Sequence, residues 1–152
     1  MLWFEDFMEG RVFSFAPVEM KAEDIIAFAA EFDPQPMHLS EEGGKASILG
    51  GLSASGWHTS AVMMRMLCDA YIGQSASEGS PGIDSMEWKK PVLAGDTLSG
   101  QCTVTEARVS ASRPGIGIVR FRGDVMNQRG QTVAVCDYIN MIRLRPDGST
   151  SR

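Results

Sequence analysis

Asp33 and His38 stand at the two ends of a stiff segment, Phe32-Asp33-Pro34-Gln35-Pro36-Met37-His38. An aspartate beside a histidine can share protons with a water held between them, the arrangement that general acid–base chemistry uses. Five fully extended residues would part the two by up to about 17 Å. Two prolines in a bent strap can fold them back toward each other. The plainer alternative is that Asp33 caps the following turn and His38 lies on the surface of a loop.

Gly56 is the second candidate, in the run Ser53-Ala-Ser-Gly-Trp-His-Thr-Ser60 that opens a long apolar segment. A glycine where a helix begins can present its N–H with no side chain in the way, at the positive end of the helix dipole. That is a site for a developing enolate oxygen. It is equally an ordinary glycine in a turn, and Ser55 is equally just the helix N-cap. His58, in the first helical turn, reads as a packed or solvated histidine rather than a catalytic group.

These residues must be held by the elements around them. From Trp57 to Ile72 the spacing predicts a helix of about four turns, roughly 24 Å long. It is apolar almost all the way round except for Arg65 and Asp69, four apart. Such a helix must be buried on most of its circumference. Upstream, Val12 to Val18 alternates as a first strand, with Pro17 favouring an edge, and Lys21 to Phe32 carries Ala22, Ile25, Ile26 and Ala29 at helical spacing. The prolines that follow predict an extended strap through His38. A short helix is expected around Glu41 to Ala46, and residues 73–82 read as a flexible surface loop. Strands are expected over Ile83–Val92, Thr97–Val109, Ile116–Met126 and Thr132–Leu144, with a hairpin turn at Asn127-Gln128-Arg129-Gly130. The last strand is apolar on both faces in part, which suits a central strand or one also covered by a partner subunit.

The expected architecture is α+β: one hot-dog domain over residues 1–145, a long buried helix wrapped by a curved, antiparallel, five-stranded sheet. Residues 146–152 read as a disordered tail. Such a sheet covers the helix on one face only, so a homodimer or higher homo-oligomer is expected.

At 152 residues the chain is long enough for one proper core, and 43% hydrophobic with 22% charged residues is ordinary for a globular protein. A net charge of −5 argues against nucleic-acid and anionic-membrane partners. The start, Met1-Leu-Trp-Phe-Glu-Asp6, has acids where a signal peptide needs basic residues, and no transmembrane segment stands out. Cys68, Cys102 and Cys136 lie far apart among apolar neighbours, and with two histidines a zinc site is not expected. They read as reduced core thiols of a cytoplasmic protein.

The motif from Phe28-Ala29 through Asp33-Pro34-Gln35-Pro36-Met37-His38 resembles the hydratase motif of the MaoC-like dehydratases, the (R)-specific enoyl-CoA hydratase group. Gly50-Gly51 to Ser55-Gly56 is similar to that family's approach to its central helix, and Lys90-Pro91-Val92 with Gly95-Asp96 to the turn before its third strand. The three landmarks occur in the family's order and span nearly the whole chain. The resemblance implies Asp33 and His38 as the catalytic pair that activates water, and Gly56 as the backbone N–H that polarises a thioester carbonyl. It implies reversible syn addition of water across a trans-2-enoyl-CoA, with no metal and no cofactor beyond the coenzyme A of the substrate. Two departures stand out: Phe32 replaces a glycine and Gln35 an asparagine. Gln35 is one methylene longer, so any hydrogen bond bracing the strap must be re-aimed. Phe32, Gln35, Ser55 and Trp57 are the expected substrate-binding neighbours, and the bulk of Phe32 and Trp57 suggests a short or compact acyl group. The rival readings are an acyl-CoA thioesterase, for which Asp69 is the only acid well inside the long helix, and a non-catalytic acyl-thioester-binding protein. Lys89, Lys90, Arg113, Arg120 and Arg122 are the cations that could meet the phosphates of coenzyme A, though each reads rather as a solvated strand or loop residue.

Overall fold

A computed structural model describes residues 1–147. Five antiparallel strands form one sheet: β1 (Val12–Glu19), β2 (Ile83–Trp88), β3 (Thr97–Val109), β4 (Ile116–Met126) and β5 (Thr132–Arg143). Their spatial order is β1-β3-β4-β5-β2, so the expected five-stranded sheet is present with β1 and β2 at its edges. Alternation built the long strands as expected: β4 buries every second residue from Gly117 to Val125. Val133 to Cys136 is buried on both faces, as befits a strand lying between β4 and β2. Pro17, which has no N–H to give, falls in a register shift of edge strand β1 between Phe15 and Val18.

Four helices precede or separate the strands: α1 (Ala22–Phe32), α2 (Pro36–Leu39), α3 (Glu41–Lys45) and α4 (Gly56–Ala70). The strap is less extended than expected. Only Asp33 to Gln35 is non-helical, because Pro36 starts the single turn of α2. A proline's fixed φ is preorganised for the first helical position, where its missing N–H has no intrahelical partner to lose. Ser40 caps α3 by accepting the Gly43 N–H at 2.9 Å.

With 15 residues α4 is about 22 Å long. It buries Thr59, Met63, Met66 and Leu67 against the sheet, while Trp57, Ala61, Met64, Arg65 and Asp69 stay exposed. The expectation of burial on most of the circumference is therefore not met within one chain. An aromatic ladder fills the space beneath: Phe13, Tyr71, Phe121 and Tyr138 lie with successive ring centroids 5.0, 4.9 and 5.1 Å apart. Burial pushes the thiols of Cys102 and Cys136, which sit in this core, up to about 11; Cys68 is only half-buried.

The expected strand Ile83–Val92 ends early, at Trp88. Val92 leaves the sheet and instead accepts the Ala54 N–H at 2.8 Å. At the far end of the chain, the Arg145 guanidinium binds both carboxylate oxygens of Asp6 at 3.0 Å. The tail expected over 146–152 lies outside the described residues from position 148 onward.

The Gly95-Asp96 turn is pinned by a buried carboxylate. Asp96 accepts the Leu93 N–H at 3.0 Å and the Gln128 amide at 2.9 Å, tying the turn before β3 to the β4–β5 hairpin. Asp96→Ala leaves two donors without their acceptor and should lower unfolding free energy by about 1–3 kcal/mol. Urea melts measure this; an unchanged midpoint would mean that the turn holds without the carboxylate.

Candidate active site

The site is assembled by the connector Leu52–Ser55, all four residues of which are buried. A buried backbone must find partners for its polar groups, and these come from both sides. The Ser53 N–H donates to the Met37 carbonyl at 3.0 Å, and the Ala94 N–H to the Leu52 carbonyl at 2.9 Å. Glu41 accepts the Leu52 N–H at 3.3 Å. Helix α3 approaches so closely that a Cβ on Gly44 would sit 2.0 Å from the Gly51 carbonyl carbon. The connector thus links α2 and α3 to the turn before β3 and delivers the chain to the start of α4.

His38 is buried on α2 and its Nδ1 lies 2.7 Å from the Ser53 carbonyl oxygen. A carbonyl can only accept, so Nδ1 carries the hydrogen and Nε2 of the neutral ring is left as a base. That Nε2 stands 3.5 Å from Asp33 Oδ2. With no hydrogen on Nε2 the two atoms face each other as acceptors, and a water beside the line joining them can donate to both. Pro36, by starting a helical turn, is what brings the two side chains this close.

Asp33 is braced on its other side. Gln35 Nε2 donates to Asp33 Oδ1 at 2.7 Å, so the longer side chain reaches back within the strap. The Ser55 hydroxyl hydrogen-bonds the same carboxylate, and this, followed by Gln35, holds the Asp33 pKa below the ordinary carboxylate range. Partial burial works against the shift and the neighbouring His38 adds to it. Ser55 also caps α4, accepting the Trp57 N–H at 3.3 Å.

Gly56 is the first residue of α4, and among the described residues its N–H has no hydrogen-bond partner. Gly56 and His38 line one cavity of about 210 Å³, together with Thr59, Trp88 and Lys90. None of the four candidate substrate neighbours lines it: Gln35 and Ser55 brace Asp33, and Phe32 and Trp57 stand farther off. Phe32 is 66% exposed and packs on Phe28, with ring centroids 5.1 Å apart. Trp57, 63% exposed, borders a second cavity of about 340 Å³ farther along α4. His58 stacks on Phe28 at 4.7 Å, and burial holds its pKa below the usual histidine value against the pull of Asp24. Trp88 was invisible to motif reasoning: alternation put it on one face of a strand, but nothing local in the sequence marks a residue that walls a cavity. Among the described residues, no three His, Cys, Asp or Glu side chains converge as a metal site would need.

A model of the MaoC like domain matches residues 6–121. The uncharacterized protein YdeM of Bacillus subtilis is 33% identical over 95 residues, covering 62% of this chain and 67% of its own length. Among solved structures, the MaoC-like dehydratase from Rhodospirillum rubrum superposes with a TM-score of 0.88 at 40% identity, over 96% of this chain and 99% of its own. An R-hydratase from Pseudomonas aeruginosa shares the fold with a TM-score of 0.77 at 20% identity, over 95% of this chain and 87% of its own.

Ser55 and Gln35 both stabilise the ionised form of Asp33. Ser55→Ala and Gln35→Ala should therefore each raise the Asp33 pKa toward the ordinary value, the serine change by more. The depressed pKa also means that Asp33 contributes stability above the ordinary carboxylate range, a contribution lost as the pH falls through its folded-state pKa. Carboxyl-carbon NMR titration of Asp33 reads the first effect directly; an unmoved pKa in Ser55→Ala would contradict the bracing.

Proposed function

The chain belongs to the MaoC-like domain family, and on that premise we propose that it adds water reversibly across the double bond of a trans-2-enoyl-CoA thioester. The observation that supports this reading is that His38, 3.5 Å from Asp33, lines the same cavity as Gly56, whose N–H is unpartnered among the described residues. The thioester carbonyl oxygen accepts from Gly56 at the amino end of α4, where the helix dipole stabilises the charge that gathers on it. A water held between Asp33 and His38 loses a proton to His38 Nε2 as its oxygen bonds to C3. The proton returns from the pair to C2 on the same face as the enolate collapses. The product is the 3-hydroxyacyl thioester, and the reverse path is dehydration. No cofactor is needed beyond the coenzyme A that the substrate carries.

Thioester hydrolysis on the same frame would call for a carboxylate aimed from α4 at the thioester carbon. Asp69, the acid available for that role, is exposed and held by Arg65, whose Nε lies 3.1 Å from both of its oxygens. That pairing favours hydration over hydrolysis. The open face of α4, with Trp57 and Met64, lies beside the exposed Ile83 of edge strand β2. We propose that a second copy of the chain covers it, as exposed apolar surface of this kind favours.

Asp33→Asn and His38→Ala should each lower kcat/KM for crotonyl-CoA by about 10²–10⁴-fold while the melting temperature stays near that of the parent, and the same preparations should sediment as dimers. Loss of absorbance of the conjugated thioester follows the reaction. Undiminished turnover in either variant would remove that residue from the mechanism. Thermal stabilisation by acyl-CoA with no turnover in the parent protein would instead support a binding protein.

A further inference from the structure

The two cavities along α4 lie end to end on one seam. The first takes Gly56 and Thr59 from α4, Trp88 from β2 and Val133 from β5. The second continues with Ser60, Met63 and Leu67 of α4, Met86 of β2 and Cys136 of β5. The indole of Trp88 lines the first cavity and touches Trp57 and Ser60, which line the second.

That indole is fixed from three directions. It lies flat over Gly56, so close that a Cβ there would be 2.6 Å from its ring atoms. Its Nε1–H donates to the Ser60 hydroxyl at 3.2 Å, and that hydroxyl donates in turn to the Gly56 carbonyl at 2.9 Å. Trp57 meets it edge-on with centroids 5.4 Å apart. Contact with Gly56, a hydrogen bond and an aromatic neighbour hold this ring in place, although 46% of the residue is exposed.

Resting on the hydratase reading, we infer that Trp88 closes the acyl end of the site and restricts the enzyme to short-chain 2-enoyl thioesters. A carbonyl oxygen bound at the Gly56 N–H fixes where the acyl chain starts. Its continuation along α4, past Ser60 toward Met63, meets the indole before it reaches the apolar space beyond. The selectivity expected from the bulk of Phe32 and Trp57 is thus assigned to a different side chain, with Trp57 acting through its contact with Trp88. Removing the indole would join the two cavities into one channel lined beyond the break by Met63, Leu67 and Met86.

The test compares crotonyl-CoA with trans-2-octenoyl-CoA as substrates, and butyryl-CoA with octanoyl-CoA as unreactive ligands in calorimetry, for the parent, Trp88→Ala, Trp88→Phe and Ser60→Ala. The parent should favour the four-carbon substrate and ligand by about tenfold or more, the scale on which a packed apolar pocket separates chain lengths. Trp88→Ala should erase most of that preference, and Ser60→Ala, which releases only the anchor, should shift it in the same direction. Trp88→Phe, which keeps a ring but loses the hydrogen bond, should fall between parent and alanine. If Trp88→Ala does not fold, the phenylalanine and Ser60 variants decide. A parent protein that accepts the eight-carbon thioester equally well, or variants with an unmoved length ratio, would overturn the assignment of Trp88. Absence of hydration of any thioester would overturn the hydratase reading alone, because the calorimetric length ratio still judges the wall.

Discussion

The hydrogen bond from His38 Nδ1 to the Ser53 carbonyl governs more of this molecule than its 2.7 Å length suggests. It decides the tautomer of a buried imidazole, and so which ring nitrogen is free to take a proton. It also ties a one-turn helix that could not hold itself to a connector that can, since isolated helices so short are unstable in water. The connector in turn is bonded to the turn before β3, and through Asp96 to the β4–β5 hairpin. The position of Nε2 is therefore set by the sheet, through a chain of buried polar contacts, and not by the strap alone.

Glycine at position 56 answers two demands at once. Its N–H is open at the start of α4, and the space where a side chain would stand is taken by the Trp88 indole. Any larger residue would displace that ring, whatever it did to the N–H. In the proposed reaction, polarisation of the carbonyl and closure of the cavity both depend on this one backbone position.

Much of the frame could be read from the residues. The limits of β4 follow from strict alternation and those of β3 from alternation over its first part, the hairpin at 127–130 from its turn residues, and the interior place of β5 from its two partly apolar faces. Asp33, His38 and Gly56 were legible as a motif, and Gln35, one methylene longer than asparagine, donates to Asp33 Oδ1. Other features depend on tertiary partners that spacing does not reveal. Pro36 could stiffen an extended strap or open a helix, and only the packing of His38 on Ser53 selects the second. Phe32 was close to Asp33 in sequence, but α1 runs through it and turns its ring onto Phe28. Trp88 is 32 residues from the glycine whose bare Cα admits it, a separation across which no local pattern speaks.

The central claim is geometric: a carbonyl at the Gly56 N–H would hold C3 of an acyl thioester against a water shared by Asp33 and His38. A crystal structure with butyryl-CoA, which has no double bond to hydrate, measures this directly. The thioester oxygen should lie within hydrogen-bond distance of Gly56 N, with a water touching both Asp33 Oδ2 and His38 Nε2 on the side of C3. A thioester bound away from Gly56, with its acyl chain lodged in the cavity beside Trp57 and Met63, would contradict it.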